Sequence, residues 1–411
     1  MSVPGVTSEE ACASTAAPAA FRWVVLGVAW AALLMSVIDR IAWSNVSAKA
    51  GQDFGLDAIA ALSVFSMASH VGFLSAAIFG GLLADWLGPR KMAAAMMVGL
   101  GVATIVFGQV GSVAAGLALQ FCMGLLGGPA FAVGVKLITN WFPRVGRATA
   151  MGVLMTATSL AVTLVNVVLP TWTQLASWRG AFAAIGGITI LIGALSSLLV
   201  RDAPPSSEPM TPTADSPFAT LAPLLRNRNF RRLALANLGG PWGTWGFAIW
   251  ASTLLVSSKH MTSVDAGAIV ASFGVGAVAA KLSIGIVSDL LGGRRRALAS
   301  SILVAFAAGL IVFGLADVPY PRTFAAILGV LAFGYSPVLN TMIAESAGDK
   351  AGSAAGLSLV MTTAGDSLQP LLLGFVYQYT RSFFAVFAVL AAGPLLAALA
   401  VARVQDDANN V

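Results

Sequence analysis

Long runs of apolar residues, separated by short polar stretches, make up most of the chain. Each run is about 20 residues long, the length that an α-helix needs to cross the hydrocarbon core of a bilayer. The ten-residue alternation of apolar and polar positions that is typical of a transmembrane β-strand is missing from these runs. The pattern therefore predicts an all-α membrane protein with twelve transmembrane helices. They are expected near residues 23–44, 58–83, 91–109, 113–138, 148–171, 180–200, 233–257, 265–287, 297–316, 323–344, 352–377 and 383–403.

One polar stretch is much longer than the others and divides the helices into two sets of six. It contains Ala203-Pro204-Pro205 and is rich in Ser, Thr and Pro, as linkers are. The first 20 residues have neither a basic start nor an apolar run, so a disordered tail is expected there rather than a signal peptide. The predicted divisions are a tail at 1–20, a six-helix half at 21–200, a cytoplasmic linker at 201–232, a second half at 233–404 and a tail at 405–411.

The composition agrees with a membrane protein and excludes several other classes. Of the 411 residues, 58% are hydrophobic and 10% are charged, whereas a soluble domain has roughly 45–50% apolar and 25% charged residues. A soluble enzyme, a disordered protein and a nucleic-acid-binding domain are therefore excluded. If the N-terminus is placed inside, most of the 23 lysines and arginines fall in cytoplasmic segments. This predicts a multi-pass protein of the inner (plasma) membrane, surrounded by lipid, with both termini cytoplasmic.

Residue types that commonly bind metals or act as nucleophiles are few. The chain has two cysteines and two histidines, and they follow no metal-binding or disulfide spacing. No cluster of nucleophile and base is found at one membrane depth. The sequence therefore predicts no metal, no cofactor and no enzymatic activity.

A loop motif occurs twice, at equivalent places in the two halves. Both copies read G-x-x-x-D-x-x-G-x-R-[KR], and they are 204 residues apart. This spacing, close to half the chain, predicts two repeated halves, an arrangement that suits alternating access around a central site. The motif residues are Gly81, Asp85, Gly88 and Arg90 in the first copy and Gly285, Asp289, Gly292 and Arg294 in the second.

On this repeated motif the chain resembles the major facilitator superfamily over about residues 20–405. Asn140-Trp141-Phe142-Pro143 and Ser177-Trp178-Arg179 also fit, while Trp86 and Pro89 depart from the usual motif. The resemblance implies the twelve-helix fold and a monomer. It also implies that Asp85 latches the cytoplasmic side shut against the start of the eleventh helix, with Asp289 mirroring it against the fifth. A plain turn with arginines at the lipid headgroups is the alternative.

Four ionisable residues within the predicted helices are candidates for the transport site, because charges in a membrane are costly. They are Asp39, Arg40, Lys281 and Asp366. Arg40 suits an anionic substrate, since the guanidinium group binds a carboxylate through two parallel hydrogen bonds. Asp366, in the middle of the eleventh helix, suits proton coupling. The alternatives are permanent ion pairs for the aspartates and contact with the headgroups for Lys281.

Three of these residues also match branches of the superfamily. Asp39-Arg40 resembles the Asp-Arg of anion:cation symporters, which implies proton coupling by Asp39 and carboxylate binding by Arg40. Lys281 stands where monocarboxylate transporters have a substrate-binding arginine. Trp245 and Tyr335 are expected to line the same substrate path. Gly-Gly-Pro at 127–129 and at 239–241 predicts breaks or kinks in two helices.

Together these features predict a secondary transporter. The expected activity is uptake of a small organic anion, such as a carboxylate, together with protons. Proton-coupled efflux of amphipathic compounds is one alternative. A membrane receptor that binds a ligand without moving it is another.

Overall fold

Within the part of the chain that the structure describes, thirteen α-helices form a bundle of membrane segments. The computed structural model describes residues 8–56, 59–142, 147–201, 226–290, 294–315, 318–347 and 351–405. The helices within these ranges are α1 (Ser8–Asp53), α2 (Ile59–Leu87), α3 (Pro89–Phe107), α4 (Val113–Gly127), α5 (Ala130–Trp141), α6 (Arg147–Leu175), α7 (Trp178–Leu199), α8 (Arg228–Lys259), α9 (Ser263–Leu290), α10 (Arg295–Leu315), α11 (Pro321–Ala347), α12 (Ala351–Thr380) and α13 (Phe383–Ala402). Nine spans among the described residues are long and apolar enough to cross a membrane. The predicted all-α fold is confirmed.

The extra helix arises because the fourth membrane segment is interrupted at Gly127-Gly128-Pro129. α4 ends at Gly127, and α5 begins at Ala130. Pro129 has no amide hydrogen to donate, which weakens the helix at this point. The second Gly-Gly-Pro sequence behaves differently, since Pro241 lies inside the continuous helix α8.

Two helices begin earlier than the apolar pattern predicts. α1 begins at Ser8, within the stretch expected to be a disordered tail. Six alanines between residues 11 and 20 explain this difference, because alanine is the strongest helix former. α8 begins at Arg228, where the Asn227 side chain accepts hydrogen bonds from the first helical amides. The linker residues 202–225 lie outside the described part of the chain.

Glycines bring equivalent helix pairs close together in the two halves. Gly72 on α2 faces the backbone of Phe121 on α4. In the second half, Gly276 on α9 faces the backbone of Ala326 on α11. Small residues allow such close backbone contact between membrane helices. Gly72 and Gly276 are separated by the same 204 residues as the loop motifs, so the repeat in the sequence corresponds to repeated packing.

The two halves meet through α2 with α12 and through α6 with α9. On the first pair, the Ser367 hydroxyl donates to the backbone oxygen of His70 at 3.2 Å. On the second pair, the Thr163 hydroxyl donates to the backbone oxygen of Ala271 at 3.3 Å. α1 and α8 also touch, since the Thr253 hydroxyl donates to the backbone oxygen of Ser44 at 2.8 Å. Residues in the middle of these helices therefore lie between the halves.

Candidate functional site

Arg40 lies at the contact between the two halves. Its guanidinium carbon is 4.8 Å from the ring centre of Phe73 on α2 and 4.5 Å from that of Trp245 on α8. Its buried Nε has no hydrogen-bond partner within the described residues. Rings that contact the face of a guanidinium leave its N–H groups, which lie in the plane, available to an anion. Arg40 can therefore bind a carboxylate that enters between the halves.

Asp366 is the carboxylate whose charge acts on Arg40. It lies on α12, is 4% exposed, and interacts electrostatically with Arg40. Its Oδ1 is buried without a hydrogen-bond partner. Ion pairs within the described ranges join Arg179 to Asp53, Arg295 to Glu345 and Arg322 to Asp265, so none contains Arg40 or Asp366. Asp366 thus influences Arg40 without closing a direct ion pair.

Tyr335 is a further polar group near Asp366. It is buried on α11, and its hydroxyl is 3.4 Å from that of Thr244 on α8. The Thr244 hydroxyl also donates to the backbone oxygen of Ala332 at 3.0 Å. Tyr335 interacts electrostatically with Asp366. A phenol in this place can donate a hydrogen bond to an oxygen of a bound anion.

His70 also faces the region of Arg40. Its Nδ1 is 2.8 Å from the backbone oxygen of Ser66, which can only accept, so Nδ1 carries a hydrogen. In a neutral ring Nε2 then has the free electron pair. Nε2 is buried without a partner in the described part of the chain, and the ring interacts electrostatically with Arg40. A lone histidine in one sequence gives no signal that would distinguish such a position from a packing role.

Lys281 reaches across the interface from α9 to α6. Its ammonium donates to the backbone oxygen of Met155 at 2.7 Å and to the hydroxyl of Thr158 at 2.6 Å. It also lies 4.9 Å from the ring centre of Phe333 on α11. Phe333 meets Trp245 edge to face, with ring centres 6.2 Å apart. Two aromatic rings therefore connect the surroundings of Lys281 with those of Arg40.

Asp39 points away from this group, into the first half. Its carboxylate accepts hydrogen bonds from the hydroxyls of Thr104 on α3, at 2.5 Å, and Thr189 on α7, at 2.9 Å. Each hydroxyl is also near a backbone oxygen four residues earlier, 2.9 Å for Leu100 and 3.0 Å for Ile185. A hydroxyl has one hydrogen, so each threonine can donate either to Asp39 or to its own helix. Both the ionised and the protonated carboxyl group can be satisfied here.

The loop motif is described in part. Arg90 donates from Nε and Nη2 to the backbone oxygen of Ser197, at 3.0 and 2.6 Å, which ties α3 to the end of α7. Gly88 precedes α3 with a positive φ of 81°, a conformation that glycine adopts easily. Arg294 is exposed. The remaining motif positions lie outside the residues whose side chains are described: Gly81, Asp85, Gly285, Asp289 and Gly292.

Of the candidates predicted from the sequence, Arg40, Trp245, Asp366 and Tyr335 lie around one region between the halves. Lys281 is connected to it through Phe333, while Asp39 is oriented elsewhere. Phe73 and Phe333, which contact the two cations, were not among the predicted residues. The chain has 22 phenylalanines, and no pattern in one sequence distinguishes these two.

Charged groups between two packed helical halves are the arrangement typical of a secondary membrane transporter. The sequence matches the family model of the Major Facilitator Superfamily at residues 28–370 and 253–410. The chain therefore belongs to this superfamily, as its loop motif predicted.

Similar proteins cover nearly the whole chain. It is 26% identical to the probable sulfoacetate transporter SauU of Cupriavidus necator, with 93% of each chain covered. It is 22% identical to the probable galactarate/D-glucarate transporter GudP of Bacillus subtilis, with 92% of this chain and 90% of the relative covered. Among solved structures, a bacterial homologue of the human lysosomal transporter Spinster, in an inward-facing and unoccupied conformation, matches with a TM-score of 0.72. That structure is 14% identical and covers 93% of this chain and 95% of its own, which supports the fold.

Proposed function

We propose that this transporter takes up a small organic anion together with protons, by alternating access between its two halves. The observation that carries the proposal is Arg40, a partly buried arginine between the halves. Among the described residues, its buried Nε has no hydrogen-bond partner and the nearby carboxylate Asp366 forms no ion pair. An arginine within the membrane without a close ion pair is costly. A substrate carboxylate would stabilise it through charge-assisted hydrogen bonds.

The substrate class is inferred from the chemistry of the site and from the similar proteins. Arg40 and Lys281 supply positive charge, while Trp245 and Tyr335 supply an apolar wall and a hydroxyl donor. The two relatives described above are named for organic acids. A carboxylate of similar size fits both observations. Export of amphipathic cations is less well supported, because both cations at the site would repel such a cargo.

Proton coupling is inferred because Asp366 and the substrate carboxylate compete for the positive charge of Arg40. Asp366 is the carboxylate that acts electrostatically on Arg40. A substrate carboxylate that binds Arg40 is repelled by ionised Asp366, and protonation of Asp366 removes this repulsion. The anion and a proton then cross together. Asp39 is the second proposed proton site, because Thr104 and Thr189 satisfy both of its charge states.

The orientation and the gate complete the proposal. The arginine-rich helix ends, including those at Arg90, Arg228 and Arg294, would lie on the cytoplasmic side of the inner membrane together with both termini. Asp85 and Asp289 of the loop motifs would hold this side shut and release it as the halves move. The protein would act as a monomer, with one site between its halves.

Uptake into proteoliposomes tests the proposal. An inward proton gradient would be imposed on vesicles that contain the wild type or Asp366→Asn, with labelled sulfoacetate, glucarate, butyrate and one lipophilic cation outside. We expect the wild type to accumulate an anion, and a protonophore to abolish this accumulation. Asp366→Asn should still exchange labelled for unlabelled anion but should no longer concentrate it.

Two results would contradict the proposal. Movement of the cation against the proton gradient, without anion flux, would favour efflux. Saturable binding of an anion without any flux would favour a receptor. Asp265→Asn provides a matched control, because Asp265 lies at the start of α9 in an exposed ion pair with Arg322 and should leave coupling unchanged.

A further inference from the structure

Arg40 and Lys281 are two partly buried cations that lie on different halves and on different aromatic rings. Arg40, on α1, contacts Trp245, and Lys281, on α9, contacts Phe333. The two rings meet edge to face at an interplanar angle of 81°. A single carboxylate group is smaller than one aromatic ring, so it cannot contact both cations across these two rings. Each cation therefore needs its own anionic group.

The described side chains of this region leave its positive charges without close negative partners. Neither cation takes part in an ion pair among the described residues. Asp366 acts on Arg40 from a distance, and the acceptors of Lys281 are a neutral carbonyl and a neutral hydroxyl. Asp39 is occupied by two threonine hydroxyls. Buried cations are stable only when they are compensated, and two negative groups from a ligand would compensate both while Asp366 carries a proton.

We infer that the site selects a dianion, an organic anion with two charged groups, and binds one group with Arg40 and the other with Lys281. This inference rests on the proposed function and narrows its substrate class. A ligand with a single charged group can bind Arg40 only. Lys281 then keeps its hydrogen bonds to Met155 and Thr158 on α6.

The contacts of Lys281 connect recognition to movement of the halves. The ammonium belongs to the second half and donates hydrogen bonds to Met155 and Thr158 of the first half. An anionic group is a stronger acceptor for an ammonium than a carbonyl or a hydroxyl. The second charge of the ligand therefore draws Lys281 away from α6 and loosens the contact between α6 and α9. The alternative is that Lys281 is a fixed tether that never touches the ligand.

Binding of matched pairs of anions to the full-length purified protein tests this inference. The pairs are succinate with succinamate, sulfoacetate with its amide, and glucarate with gluconate, in which the second member has one charge fewer. Titration calorimetry would give the Kd of each anion. For the pair that binds most tightly, we expect the dianion to bind the wild type at least tenfold more tightly than its partner.

Three variants separate the second charge from other effects. Lys281→Gln should weaken binding of the dianion at least tenfold and change that of its partner less than twofold. Thr158→Val removes one acceptor that competes for the ammonium, so it should strengthen binding of the dianion two- to fivefold. Thr163→Val is the matched control, since the Thr163 hydroxyl binds Ala271 on the same interface, and it should not change the preference.

The outcomes distinguish the inference from the proposed function. Equal binding of both members by the wild type, or an equal loss for both in Lys281→Gln, overturns the dianion site but leaves anion transport standing. Failure of every anion to bind the wild type overturns the proposed function itself. If Lys281→Gln does not fold, the wild-type comparison and Thr158→Val still decide the question.

Discussion

Replacement of Asp39 by asparagine separates proton coupling from helix packing. Asp39 is 1% exposed and joins α1 to α3 and α7 through Thr104 and Thr189. Asparagine has nearly the same shape but cannot exchange a proton. We expect Asp39→Asn to fold and to exchange anions, while losing accumulation driven by a proton gradient.

The expected cost in stability follows from the contacts of the two hydroxyls. A hydrogen bond to a charged group contributes about 1.5–3 kcal/mol and a neutral one about 0.5–1.5 kcal/mol. In Asp39→Asn, the amide keeps neutral bonds, and each threonine can donate to its own helix at 2.9 or 3.0 Å. The relief of charge burial also offsets part of the loss. The net cost should be about 1 kcal/mol, whereas Asp39→Ala leaves a cavity and should cost about 2–3 kcal/mol.

The assay combines thermal unfolding of the purified protein with uptake into proteoliposomes. Thr104→Val with Thr189→Val provides the matched control, because it removes the hydrogen bonds but keeps the carboxyl group. Gradient-driven accumulation by Asp39→Asn at the wild-type level would refute a coupling role. A loss of stability near that of Asp39→Ala would instead indicate that Asp39 is structural.

Three further predictions concern packing, the ends of the helices and the site. Gly124→Ala should destabilise the fold strongly, because an added Cβ would meet the backbone oxygen of Ser69. Gly152→Ala should be neutral or stabilising, since a Cβ at that position meets nothing within 4 Å. Thermal unfolding of both variants checks this prediction. Arg179→Gln should cost about 1–2 kcal/mol, because Arg179 donates to two backbone oxygens and forms a partly exposed ion pair; equal unfolding of variant and wild type would contradict it. Trp245→Leu should weaken anion binding severalfold through loss of the contact with Arg40. The control is Trp242→Leu, because the Trp242 indole N–H binds a backbone oxygen of α13, and it should leave the Kd of the anion unchanged.

The sequence alone was sufficient for the fold class. The apolar runs predicted a bundle of membrane helices because a membrane helix has a fixed length, and the Ser/Thr/Pro-rich linker predicted the boundary between the halves. Charged residues in the runs made Arg40, Lys281 and Asp366 candidates for the site, since intramembrane charges are rare.

The direction in which each side chain points could not be predicted from the sequence. Asp39 and Arg40 are neighbours on one helix, yet one faces Thr104 and Thr189 while the other faces Phe73 and Trp245. Successive helical residues point about 100° apart, and only the packing of other helices determines which direction faces the partner half. The contact of Lys281 with α6 depends in the same way on the pairing of α6 with α9.

The central claim, that Arg40 binds the transported anion, is tested most directly by proton-driven anion uptake into proteoliposomes with Arg40→Lys. Lysine keeps the charge but lacks the planar pair of donors that holds a carboxylate. We predict that this variant folds and loses at least tenfold in uptake rate at low substrate concentration. Wild-type uptake by Arg40→Lys and also by Arg40→Gln would contradict the account.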